Sequence, residues 1–202
     1  MPRNKFQNEK VKDERREQIL AGALSLFATK GLSATRISDI SAKTGMSQGL
    51  VYHYFPSKEA IFVKLIGDAL EKMNKAALNL EMMDVQAEIK VRLAVKDLLE
   101  GLNHSPSASD YYFLMTQTAL SESFPAEARA LIRRENDVRY QVMTRIFSQG
   151  QIEGTVKQTP AGELATLLFS LVNGLALNKA YYREHFQLPD LKPVLGIFLV
   201  ES

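Results

Sequence analysis

The stretch RISDISAKTGMSQGLVYHYFPSKEAIF, residues 36–62, decides how this chain folds. Two short runs with helical periodicity flank Gly45. Ile37, Ile40 and Ser41-Ala42 supply an inner face to the first, and Leu50, Val51 and Phe55 supply one to the second. Thr35 stands where a residue can cap the first helix, from Arg36 to about Thr44; Gly45 ends it, and Ser47 can cap a second helix through about Tyr54. Pro56-Ser57 interrupts, and a long helix is expected from near Ser57 to about Leu80. A helix of eight or nine residues, a turn of three or four containing Gly45, and another helix of similar length make the helix-turn-helix spacing. In that motif the second helix is presented to the DNA major groove.

Upstream, Ile19, Leu20, Ala23, Leu24, Leu26 and Phe27 predict an amphipathic helix from Asp13 to Lys30, with Gly31 at its C-terminal cap. Downstream, helices are expected over 85–102, 110–121, 125–150, 161–184 and 190–200, punctuated at 104–107, Phe124-Pro125, 150–160 and Leu188-Pro189. No stretch sustains period-two alternation, so no sheet is expected. The fold class is therefore all-α: an N-terminal three-helix helix-turn-helix domain at 13–73, with its motif at 36–55. A long helix joins it to a helical ligand-binding and dimerisation domain at 74–202.

The chain has 202 residues, 46% hydrophobic and 24% charged, and no cysteine, which excludes disulfides and thiolate chemistry. Its N-terminus, MPRNKFQNEKVKDERR, lacks the apolar run of a secretory signal. The longest strongly apolar uncharged stretch, 164–178, is 15 residues and falls short of the roughly 20 that cross a membrane. These features point to a cytoplasmic protein. Net charge is +2, but residues 1–60 hold ten Lys/Arg against six acids, which hints at an anionic partner for that part.

From Ile19 to Phe62 the chain resembles the N-terminal domain of the TetR/AcrR family of transcriptional regulators. The motifs that carry the resemblance are Phe27-x-x-x-Gly31, Thr35, Ile40-Ser41-x-x-x-Gly45 and Gly49-x-x-Tyr52-x-Tyr54-Phe55-x-x-Lys58. Ser41 stands where the family usually has alanine. The C-terminal part resembles the family only loosely, through Gly150-x-x-x-Gly154 and Asn173-Gly174-Leu175. The resemblance implies a homodimeric repressor, released from a palindromic operator in double-stranded DNA when a small effector binds the C-terminal domain.

On the second short helix, Ser47, Gln48 and Gly49 lie at the start, where free N–H groups favour phosphate and glycine permits close approach to DNA. Gln48 can pair bidentately with adenine, and Tyr52, His53 and Tyr54 can reach phosphates or thymine methyl groups. Thr35, Arg36 and Lys58 are placed for phosphate contacts, and the arm Arg3, Lys5, Lys10, Lys12 reads equally as a minor-groove contact or as a disordered solubilising tail. A largely apolar effector is expected against Met83, Phe113, Met143 and Phe147, oriented by Gln117 and Thr118. Leu168, Leu171, Val172 and Leu175, with Leu195 and Phe198, are expected to form a four-helix dimer interface.

Other chemistries fare worse. Tyr54 and Lys58 fit the Tyr-x-x-x-Lys pair of short-chain dehydrogenases, but no Gly-rich loop follows an early strand. His53, His104 and His185 are far apart, with no acidic partner at triad or metal-ligand spacing. Asn103-His104-Ser105 is a glycosylation sequon by pattern only. No cofactor, metal or catalytic site is expected. The competing reading is a helical ligand-binding protein or small enzyme with a non-functional helix-turn-helix.

Overall fold

The computed structural model describes residues 3–104 and 106–200. Among these residues the chain forms α1 (Arg3–Lys30), α2 (Ile37–Thr44), α3 (Gln48–Tyr54), α4 (Lys58–Glu81), α5 (Ala87–His104), α6 (Pro106–Leu120), α7 (Ala126–Ile152), α8 (Ala161–Tyr182) and α9 (Leu191–Phe198). No strand occurs among them; one isolated antiparallel bridge pairs Val156 with Leu199.

α1 begins ten residues before the expected start at Asp13. Residues 9–18 are all exposed, so no apolar stripe announces that part of the helix. It forms because Lys, Glu, Gln and Arg are good helix formers and neither Gly nor Pro intervenes between Arg3 and Ile19. Of the supposed arm, Lys10 and Lys12 therefore sit exposed on a helix, while the side chains of Arg3 and Lys5 lie outside the described residues. Ser105 of the sequon also lies outside them.

The second half of α1 buries Ile19, Leu20, Ala23, Leu24, Leu26 and Phe27. Phe27 meets Phe62 of α4 edge to face, ring centroids 5.6 Å apart, and Phe62 in turn lies 5.3 Å from Phe124. α2 crosses α1 at Gly22, where a Cβ would stand 2.7 Å from the Thr44 methyl. α2 ends at Gly45 in the left-handed conformation, φ 67°, which an L side chain resists. Ile37 and Ile40 are buried as expected, whereas Ala42, assigned to the same inner face, is exposed.

α4 runs from this cluster along α7 in the second half of the molecule, and two polar clamps fix it there. Asn74 donates to the Glu135 carboxylate at 2.9 Å and to its carbonyl at 3.2 Å. Arg145 forks onto Glu81 at 2.5 and 2.9 Å. The hydrogen bonds from Arg145 hold the Glu81 carboxyl below its usual range.

α9 stops at Phe198 rather than near Val200, because the residues that follow pair with the strip after α7. Lys157 donates to the Phe198 carbonyl at 2.9 Å and Val200 to the Thr155 carbonyl at 3.0 Å. Val156 fills the space above Gly150, where a Cβ would meet its Cγ2 at 2.4 Å.

The expected dimer residues need correcting. Leu168, Val172, Leu195 and Phe198 are buried within their own chain, and Phe198 stacks on Phe147 of α7 at 5.5 Å. Leu171 and Leu175 are half-buried. Their neighbours one residue away face outward instead: Leu167 (49% exposed) on α8 and Ile197 (41%) on α9, with Tyr181 and Tyr182 also exposed at the end of α8. α8 with its following turn is long and apolar enough, by length and composition, to cross a membrane. Leu164, Ala165, Leu168, Phe169, Val172 and Ala176 nevertheless pack it into this chain's own core.

Candidate nucleic-acid interface and central cavity

α3 divides by face. Val51 is fully buried and Phe55, just beyond the helix, is 3% exposed. Ser47 caps α3 by accepting the Leu50 N–H at 3.2 Å. Ser47, Gln48 and Gly49 are exposed, as are Tyr52 (52%) and His53. A Cβ on Gly49 would meet nothing within 4 Å, so this side of the helix is open. Tyr54 is half-buried, packed on the core with the His53 ring against it at 5.4 Å. Leu50 is also half-buried rather than part of the inner face.

Two of the expected phosphate ligands are committed elsewhere. Thr35 is fully buried, and its hydroxyl donates to the Gly31 carbonyl at 2.7 Å, so it does not reach a partner. The N-cap of α2 is Arg36, one residue later than expected. Its amide donates to Asp39 at 3.0 Å, a bond that holds the Asp39 carboxyl below the usual range, and Lys30 stands 3.6 Å from the same carboxylate. Arg36 itself is exposed. Lys58, expected at a phosphate, spends its ammonium inside the chain: it donates to the carbonyls of Leu32, Ser33 and Thr35 at 2.8, 2.9 and 2.9 Å. An ammonium has three hydrogens, and all three are taken. Lys58 is thus a strap tying the α1–α2 loop to the start of α4.

A cavity of about 230 Å³ lies between α4, α5 and α7, closed by Tyr112 of α6 and Phe169 of α8. Met73, Ala77, Leu80, Leu98 and Met143 give it a mainly apolar wall. A second cavity, about 200 Å³, lies across Tyr112, Arg139 and Phe169, which line both. Of the six expected effector residues only Met143 lines either one. Met83 is 41% exposed beyond the end of α4, and Phe147 is spent on Phe198. Thr118 is buried but returns its hydroxyl to Leu114 of its own helix at 2.6 Å.

Phe113 and Gln117 miss by helical phase. α6 turns Tyr112 and Thr116, each one residue earlier, to the cavities. A shift of one residue rotates a side chain about 100° around a helix of 3.6 residues per turn. Arg139 was not anticipated, since an arginine in a charged run such as 133–139 reads as solvated surface; it is 8% exposed. A larger groove of about 720 Å³ opens between α5 and residues 183–191, but its wall carries Lys96, Glu100, Lys179, Arg183 and Glu184 and it is a surface feature. Among the described residues no three of His, Cys, Asp or Glu come together as metal ligands would.

Residues 19–65 match the family model described as bacterial regulatory proteins, tetR family. Over 179 residues the chain is 28% identical to the uncharacterized HTH-type transcriptional regulator YfiR of Bacillus subtilis, covering 86% of this chain and 83% of that one. Over 57 residues it is 39% identical to the HTH-type transcriptional repressor KstR2 of Mycolicibacterium smegmatis, 28% of each chain. In fold it is similar to the crystal structure of the MbdR regulator from Azoarcus sp. CIB, with a TM-score of 0.74 at 21% identity, over 90% of this chain and 94% of that one. The helix-turn-helix built by α2, Gly45 and α3 and the family match over the same residues lead to one conclusion: residues 19–65 form a tetR-family DNA-binding domain, and the chain is a DNA-binding transcriptional regulator, not an enzyme.

Proposed function

We propose that this regulator is a cytoplasmic homodimeric repressor that leaves a palindromic operator when a small, largely apolar effector enters the cavity between α4, α5 and α7. The observation that carries this reading is the two-sided α3: Val51 and Phe55 fix it from within, while Gln48, Gly49, Tyr52 and His53 remain free on the other side. Such a helix has no internal use for its outer face. Arg36 adds a phosphate contact from α2, and residues 13–73 act as the reading unit, with 74–202 as the sensing and pairing unit.

The dimer follows from the outer faces of α8 and α9, where Leu167 and Ile197 are exposed. Two copies of α3 held about 34 Å apart match successive major grooves on one side of the duplex. Release works through α4, which the Lys58 strap ties to the reading unit and Asn74 and Glu81 tie to α7. An effector that fits the cavity only after α4 shifts lowers the population of the DNA-binding form, and only its preference between the two forms counts. Gel shifts with DNA from upstream of the regulator's own coding sequence test the proposal. A sequence-specific complex at moderate salt supports it, and binding no tighter than to random DNA overturns it.

A further inference from the structure

We propose that the effector carries a single anionic head, a carboxylate, on an apolar body, and that Arg139 holds that head. This rests on the reading of the central cavity as the effector site. Arg139 is 8% exposed and lies at the wall shared by the two cavities. It makes no ion pair within 4.0 Å among the described residues, and its Nε has no hydrogen-bond partner. Its contacts are neutral: one amino group donates to the Asn136 side-chain oxygen, the other reaches the Met73 sulfur at 3.0 Å, and the group lies 5.8 Å from the Phe169 ring centre. A guanidinium stays charged, so its burial without a counter-charge is unfavourable, and its fork of N–H donors matches a carboxylate.

The surroundings narrow the ligand further. Tyr112 borders both cavities beside Arg139, and burial raises its phenol's pKa, which keeps a second donor available to an anion. Away from Arg139 the first cavity is walled by Ala76, Leu80, Leu98 and Met143, which suit a hydrocarbon or aryl group. Asp97 stands exposed on the rim and is the acidic group among the lining residues. It repels a second negative centre, so a monoanion fits better than a dicarboxylate or phosphate monoester. Met73, on the arginine's other side, belongs to α4. A carboxylate that takes the guanidinium from the Met73 sulfur therefore acts on the helix that leads to DNA.

The test uses the full chain without DNA and titration calorimetry with matched probes: hexanoate, octanoate, decanoate and phenylacetate, each against the corresponding alcohol. At least one acid is expected to bind about tenfold tighter than its alcohol, and Arg139→Met to reduce that preference below about threefold while alcohol binding persists. Removing an unpaired buried charge is expected to leave the melting temperature of the ligand-free protein unchanged or higher. Should Arg139→Met fail to fold, Arg139→Gln provides the same comparison. If every acid binds no better than its alcohol, or the preference survives in the variants, the proposal is overturned. Fluorescence anisotropy on operator DNA is run separately. Arg139-dependent acid binding that leaves the DNA complex intact overturns the release mechanism and supports the ligand class; specific DNA binding without any acid preference overturns the ligand class alone.

Discussion

Tyr52 and Lys58 are six residues apart and behave oppositely, which makes them a sensitive pair. Tyr52 is half-exposed on the outer face of α3. Tyr52→Ala is expected to weaken operator binding about tenfold while moving stability by no more than about 0.5 kcal/mol in urea denaturation. Lys58→Met is expected to cost about 2 kcal/mol of stability, because three carbonyls lose a charged donor. Its salt dependence of DNA binding should stay that of the parent, whereas Arg36→Ala should flatten the slope of log K against log salt by about 0.9 per subunit. A flattened slope in Lys58→Met would show that the ammonium leaves its strap for phosphate on DNA. Sequence alone distinguishes Val51 and Phe55 from Gln48 and Tyr52, since periodicity separates faces. It does not distinguish a lysine that binds phosphate from one that binds carbonyls, because the partners of Lys58 lie 23 to 26 positions away. Nor does it show that the hydroxyl of Thr35, which looks like a cap for α2, turns back to the Gly31 carbonyl as a buried tie.

At the level of elements, the helices among the described residues were readable within a few residues where Gly31, Gly45, Pro56, Pro125 and Pro160 mark their ends, but not at the start of α1, ten residues before Asp13, where no such mark stands. Their rotation about their own axes was less readable. α6 is apolar on several sides, so nothing in its pattern says that Tyr112 rather than Phe113 faces the cavity, and the misses at Phe113 and Gln117 follow from that one-residue ambiguity. Close approaches are equally silent in sequence. Gly150→Ala is expected to cost about 2 kcal/mol, measured by chemical denaturation, since the new methyl would collide with Val156 and Ala87. The Glu81–Arg145 clamp predicts a pH dependence. Glu81 has a folded pKa below its unfolded one, so the pair's stabilisation is complete above the ordinary glutamate range and is lost as pH falls through the depressed value. With side chains 26% and 55% exposed, the pair contributes about 0.5 kcal/mol. Glu81→Gln should therefore be slightly less stable than the parent at neutral pH and indistinguishable from it in strongly acidic buffer.

For the molecule as a whole, the proposed pairing depends on which side of α8 is already used. Leu167→Glu is expected to give a monomer in sedimentation at micromolar concentration with its helicity intact, and to abolish cooperative operator binding. Leu168→Glu, one residue on, should instead unfold the chain, because Leu168 is wholly buried in its own core. If Leu167→Glu remains a dimer, α8 is not the pairing surface.

The Lys58 strap also sets a gear ratio. Fifteen residues of α4 separate Lys58 from Met73, about 22 Å at 1.5 Å per residue. A tilt of about ten degrees about Met73 would swing the strapped end by about 4 Å, more than the roughly 3.4 Å that separates stacked bases along a strand. Because the strap holds the α1–α2 loop to that end, the reading unit would travel with it, and in the proposed release a displacement of less than an ångström beside Arg139 would become a misregister of a whole base step at the DNA.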